Sequence, residues 1–198
     1  MLSLIVHALL GLLVVWLVVR SNPAIFRRPR SGPLFSGLEL ALYGIGLGSV
    51  ALGWYFNVRF VTDNTDGWLI NPLWGDGSWL HYMELLFDNP AAGSASGDFI
   101  VANVIVLPLV TIIHGRRLGL ARPWLFFVAT LFTSFSFGWA FYLATVERQR
   151  RLAASGVAAS GVAASEAEAR GVGVDVHGVP AQEADQGQPG FVGQVDGE

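Results

Sequence analysis

A chain of 198 residues that is 53% hydrophobic and only 14% charged, with a mean hydropathy of +0.50, is not built as a water-soluble globule. Such globules carry about 25% charged residues. The net charge of −3 says little about partners, because most of the acid lies in a loop and a tail, and no nucleic-acid partner is expected. All twelve basic residues are arginine, whose permanent charge and planar fork suit it to pin helix ends at lipid headgroups. With no cysteine, disulfides, thiolate metal sites and cysteine nucleophiles are excluded.

The first apolar run, Leu2 to Val19, covers roughly 27 Å as a helix, about one hydrocarbon core. It lacks a positive leading region and a small-x-small cleavage site, so it reads as a retained span rather than a signal peptide. His7 within it can hydrogen-bond a neighbouring helix. A second span covers about 36–58, with Glu39 near its start and Trp54 and Tyr55 at its end. Gly44 and Gly48 sit four apart in it, as do Ser49 and Gly53, and small residues at that spacing let two backbones approach closely. Glu39 has candidate partners in Arg27, Arg28, Arg30, Arg116 and Arg117.

The following loop carries Trp68, Trp74 and the stretch WLHYMELLFDNP, residues 79–90. A helix over about 78–89, capped by Ser78 and stopped by Pro90, gathers Trp79, Tyr82, Met83, Leu86 and Phe87 on one side. His81, Glu84 and Asp88 fall on the other. At about 16 Å it is too short to cross a bilayer, so it reads as an interfacial helix lying with its apolar side down. The polar face is then simply wet. As a site, it would offer His81, Glu84, Asp88 and Asp98 as acid–base candidates, given enough burial to raise a carboxyl pKa. Neither a metal nor a cofactor is called for.

The third span, about 98–114, is opened by Asp98, read first as the helix N-cap. Asn103 is placed to bond across to another helix, and Pro108 should kink the span by orphaning a carbonyl. His114 belongs near the interface. The fourth span, about 123–146, has aromatic residues near both ends and Thr130, Thr133, Ser134 and Ser136 within. From Ala153 the repeat AASGVAASGVAAS and an acidic segment make a low-complexity tail, 153–198, expected to be disordered. His177 lies in it as a solvated residue.

With four spans, Arg20, Arg27, Arg28, Arg30, Arg116, Arg117 and Arg122 face one side, and Arg59, Arg148, Arg150, Arg151 and Arg170 the other. The positive-inside rule makes the first group cytoplasmic and places both termini outside.

From Gly53 to about Arg151, several spaced motifs stand out: Trp54-Tyr55-Phe56-Asn57 with Phe60, Phe87-Asp88-Asn89-Pro90, Asp98, Arg116-Arg117-Leu118-Gly119 with Trp124, and Ser136-Phe137 leading to Tyr142 and Glu147-Arg148. The pattern resembles the small bacterial integral membrane proteins grouped as domain of unknown function 2834. That resemblance implies three spans, a loop ending in Asn-Pro and an Arg-Arg-Leu-Gly turn. It departs in an extra N-terminal span, and in Trp139-Ala140-Phe141-Tyr142-Leu143 lacking the usual proline. It brings no established activity.

The expected architecture is an all-α, four-span transmembrane bundle over 1–152, in a bacterial cytoplasmic membrane. The expected function is that of a non-catalytic accessory or scaffold component, in contact with the lipid bilayer and able to associate by helix–helix packing with itself or another membrane protein. A lipid- or isoprenoid-directed enzyme is the alternative, and a transporter or channel component the third reading.

Overall fold

The computed structural model describes residues 2–29, 32–66, 71 and 73–169. Among them every regular element is helical and none is a strand. Two compact units divide the chain, residues 1–158 and 159–198.

In the first unit, α1 (Leu2–Ser21) leads into a single turn, α2 (Pro23–Phe26). A connection to residue 36 follows, then α3 (Gly37–Asn64), whose N-cap Ser36 accepts from the Glu39 amide. At 28 residues α3 is about 42 Å long, longer than the span read from sequence. A short helix, α4 (Trp79–Leu85), precedes α5 (Pro90–Ile100), a π-helical segment (Val101–Val106) and α6 (Leu107–Arg117). These last three form one continuous rod. Three helices are long and apolar enough to cross a membrane: Leu4–Ser21, Gly37–Asn64 and Pro90–Arg117. Their outward residues, such as Leu9, Leu12 and Trp16 on α1 and Ile45, Leu47 and Leu52 on α3, are apolar and exposed, as membrane rods require.

The π-helical segment is the answer to Pro108. In an α-turn the proline ring would strike the carbonyl of residue 104, and it has no N–H to offer. The turn before it widens instead, so that the Leu107 amide donates to Ala102, five residues back. Asn103 lies on this widened turn and is buried.

The stretch expected to be a fourth rod is not one. It breaks into α7 (Leu125–Thr130), a turn over 131–134, and α8 (Phe135–Ala169). The two helices run antiparallel: the Phe126 ring meets Tyr142 at 5.2 Å, and Thr130 lies against Gly138. A Cβ on Gly138 would collide with the Thr130 methyl and sit 3.2 Å from the Phe126 carbonyl oxygen, so glycine is what lets the pair close. The turn is buttressed from two sides. Gly11 on α1 admits Phe132, and Ser134 shares a 2.7 Å hydrogen bond with Ser49 on α3. Residues 125–148 therefore go in and come back. The hydroxyl run Thr130, Thr133 and Ser134 supports the break: Thr130 donates to the freed Phe127 carbonyl, Ser134 accepts from the Phe137 amide, and Thr133 adds a bond to the Ala129 carbonyl, which already accepts from the Phe132 and Thr133 amides.

The core lies where this hairpin packs against α1, with Val14, Val18, Leu125, Phe126, Ala129, Phe141, Tyr142 and Val146 at its centre. α8 itself continues to Ala169, so the whole AASGVAASGVAAS repeat, the first part of the low-complexity tail, is helical where disorder was expected. In the second unit only this helical stretch, up to residue 169, belongs to the described residues. The acidic segment beyond it, with His177, lies outside them, as do Arg30, Trp68 and Arg170.

Candidate functional site: a buried arginine–glutamate lock

Hydrogen bonds gather three connections at one end of the first unit. Asn22, after α1, grips Ala121 through both ends of its amide, accepting from the Ala121 amide at 2.9 Å and donating to its carbonyl at 3.2 Å. Gln149 on α8 donates to the Leu118 carbonyl at 2.6 Å. On the first turn of α3 lies Glu39, 0% exposed.

Glu39 accepts from Arg148 at 3.2 Å and from Arg151 at 2.9 and 3.2 Å. Arg148, itself 3% exposed, also donates to the carbonyls of Ile25 (2.8 Å), Arg27 (3.1 Å) and Leu34 (2.9 Å), and its guanidinium lies 5.2 Å from the centre of the Phe35 ring. Arg151 adds the Pro33 and Leu34 carbonyls. A planar guanidinium has five donors and here Arg148 holds four acceptors at once, one more than the three N–H groups of a lysine allow. The cluster straps the 25–36 connection, the start of α3 and the returning arm of the hairpin into one piece. Its chemistry is that of a lock: each charge is matched by charge or by carbonyl dipoles.

This corrects the expected partners of Glu39. Arg27 contributes its carbonyl rather than its guanidinium, while the exposed Arg28, Arg116 and Arg117 take no part. Arg148 and Arg151 were missed because a straight fourth rod puts them at the opposite end from Glu39. Once the hairpin returns, Arg20, Arg27, Arg28, Arg116, Arg117, Arg122, Arg148, Arg150 and Arg151 share one end, and Arg59 alone among the described arginines stands at the other.

A second line of polar contacts joins the α5–α6 rod to α8. Trp139 donates from Nε1 to Asn103 Oδ1 at 3.1 Å, and Asn103 donates in turn to the Phe99 carbonyl. His114 Nδ1 and the Tyr142 hydroxyl are 2.8 Å apart, so His114 is a partly buried packing partner as well as a residue near the helix end. His7 on α1 faces the Phe132 ring at 5.8 Å.

The carboxylates expected to carry chemistry lie elsewhere. Glu84, Asp88 and Asp98 are all exposed, and among the described residues no hydrogen bond or ion pair joins any two of them. His81 is held locally, its Nδ1 accepting from the Gly77 amide at 3.1 Å and its ring 5.5 Å from Phe60. No group of three or more His, Asp or Glu placed to hold a metal occurs among the described residues. Asp98 is not an N-cap: the rod starts nine residues earlier, where Asn89 accepts from the amides of Ala91 and Ala92. Pro90 opens that helix at its first turn rather than stopping the one before, since its missing N–H costs nothing there. The short helix had already ended at Leu85, and Ser78 does cap it, accepting from His81. Gly44 and Gly48 face away from the chain's own helices, with nothing within 4 Å of a Cβ placed on either. The close approach is made at Gly46, where a Cβ would lie 3.2 Å from Phe137 and 3.4 Å from Ala140.

These features define an all-helical protein with three rods of membrane-crossing length and a buried ionic lock. The chain belongs to the family described as Protein of unknown function DUF2834, whose profile matches residues 42–148, more than half of its length. No curated protein and no solved structure matches it. Arg148, the returning half of the lock, closes the matched region, while Glu39 and the 22–36 connection precede it.

Proposed function

We propose that the chain is a polytopic membrane protein of a bacterial cytoplasmic membrane, with three spans and one re-entrant hairpin, acting as a non-catalytic accessory or scaffold component. The three long apolar rods support the embedding. The hairpin fits the limit that interrupted helices at membrane depth must lie against protein, because its freed Phe127 carbonyl and Phe137 amide are answered by its own Thr130 and Ser134 hydroxyls and its turn is tied to α3 through Ser134 and Ser49. Nine arginines at one end make that end cytoplasmic, so the N-terminus lies outside and the end of the hairpin inside. The margin, narrow under four spans, becomes wide. At the outer end, Trp74, Trp79, Tyr82 and Phe87 are exposed around α4 and suit the headgroup layer.

The observation that carries the accessory reading is the Glu39–Arg148–Arg151 cluster. The deeply buried charges bind the chain to itself, while Glu84, Asp88 and Asp98 are exposed and no hydrogen bond or ion pair joins any two of them among the described residues. An enzyme acting on lipid would need two of Glu84, Asp88 and Asp98 in one enclosure, and a transporter a continuous polar lining. The test is native electrophoresis of gently solubilised membranes from cells expressing the tagged chain. The accessory reading predicts a complex larger than one chain in its micelle, unchanged when Glu84→Gln, Asp88→Asn and Asp98→Asn are combined. A chain that runs alone contradicts it.

A further inference from the structure

We propose that the loop after α6 is a preformed binding site for the phosphate of an anionic phospholipid headgroup, built from Arg116, Arg117, Arg122 and Trp124. The inference rests on the membrane reading above and adds a specific lipid partner to it.

Three observations support it. First, the loop is rigid. Asn22 clamps Ala121, Gln149 holds the Leu118 carbonyl, and the Leu120 amide donates to the Gly115 carbonyl at 2.9 Å. Pro123 is buried and packs so close to Gly115 that a Cβ there would lie 2.7 Å from its ring. Second, Arg122 is the single non-glycine among the described residues with positive φ, at 52°. That conformation is unfavourable for an arginine and persists only where the surroundings impose it. The Arg122 side chain is exposed, and neither it nor Arg116 nor Arg117 has an ion-pair partner among the described residues. Third, Trp124, two residues after Arg122, is 47% exposed and is the residue type that settles at headgroup level. Arginine forks match phosphate oxygens two at a time, and a fixed loop loses little freedom on binding.

A juxtamembrane arginine favours an anionic surface by about fivefold, so three acting together give a selectivity well above that of one. The full-length protein would be reconstituted in phosphatidylcholine bilayers containing trace spin-labelled phosphatidylglycerol or spin-labelled phosphatidylcholine, and the motionally restricted fraction of each measured. Wild type should prefer phosphatidylglycerol by roughly fivefold or more. The preference should fall towards unity in about 1 M NaCl, where screening reaches about 3 Å. It should vanish in R116Q/R117Q/R122Q and survive in R27Q/R28Q, which lowers charge at the same end but outside the loop. Equal restriction of both lipids overturns the inference, and so does a preference that persists in high salt, a measurement needing no variant. Equal loss in the two variants overturns it in favour of diffuse charge. Competition by inorganic phosphate beyond chloride of equal ionic strength overturns the lipid assignment in favour of a free anion. A chain that never enters the bilayer contradicts the membrane reading and this inference together, whereas one that enters and prefers neither lipid contradicts this inference alone.

Discussion

Arg148, on the returning arm of a helical hairpin, donates to Glu39, on the first turn of α3, across a contact in which both side chains are almost wholly buried. Two residues more than a hundred positions apart are thereby fixed at one end of the first unit.

Breaking the pair should be costly. Removing one partner of a buried ion pair leaves the other charge without compensation, typically about 3–5 kcal/mol. Glu39→Gln keeps a hydrogen-bonding amide and should fall near the lower bound. Arg148→Met should be worse, because it also removes the guanidinium donors to the carbonyls of Ile25 and Arg27, leaving Leu34 only its bond from Arg151. Thermal unfolding in detergent micelles checks the order; equal stability of Glu39→Gln and wild type contradicts it.

Asn22→Ala should destabilise by about 2–3 kcal/mol, since its amide makes three hydrogen bonds, to the Val18 carbonyl and to both backbone groups of Ala121. Nothing in the sequence around Asn22 marks it, because its partner is 99 residues away. Protease sensitivity of the 118–124 loop should rise in parallel, and a loop that stays resistant would argue against the clamp.

The two sets of small residues on α3 should behave oppositely. Gly46→Val drives a branched side chain against Phe137 and Ala140 and should cost about 1–3 kcal/mol. Gly48→Val meets open space and should leave unfolding in micelles within about 0.5 kcal/mol of wild type. Comparable losses at both positions would restore Gly44 and Gly48 as the internal packing seam.

What the sequence conveyed was whatever hydropathy and local chemistry encode. The three long rods, the Ser78 cap, the cross-helix role of Asn103 and the family resemblance were legible there. The hairpin was not, because a window average treats 123–146 as one apolar run and cannot register that Thr130, Thr133 and Ser134 turn their hydroxyls back on the chain. That single misreading sent Arg148 to the wrong end and hid the lock. Asp98 was misplaced for a related reason: the rod begins in Pro90-Ala-Ala-Gly-Ser-Ala-Ser, a stretch of small residues whose weak hydropathy conceals a helix already under way. Glu39 looked like a candidate for arginine partners, but sequence offers no means of choosing among twelve.

Gly138→Val should loosen the hairpin itself, since any Cβ there collides with Thr130. The expected cost is about 1–3 kcal/mol or more. Combining it with Thr130→Ala should recover part of the loss, a coupling that two independent sites would not show. Unfolding midpoints of the two single variants and the double variant measure it, and strict additivity would contradict the contact.

The hairpin is tested most directly by where its outgoing arm emerges. The chain has no cysteine, so single cysteines at Ala24→Cys, Asp66→Cys and Ala154→Cys report sidedness cleanly. With a membrane-impermeant maleimide on intact cells, only Asp66→Cys should be labelled, and Ala24→Cys and Ala154→Cys should react together once the membrane is opened. Labelling of Ala154→Cys from outside while Ala24→Cys stays protected would mean that residues 125–148 cross the membrane, and the account of the hairpin, the lock and the single basic end would fail with it.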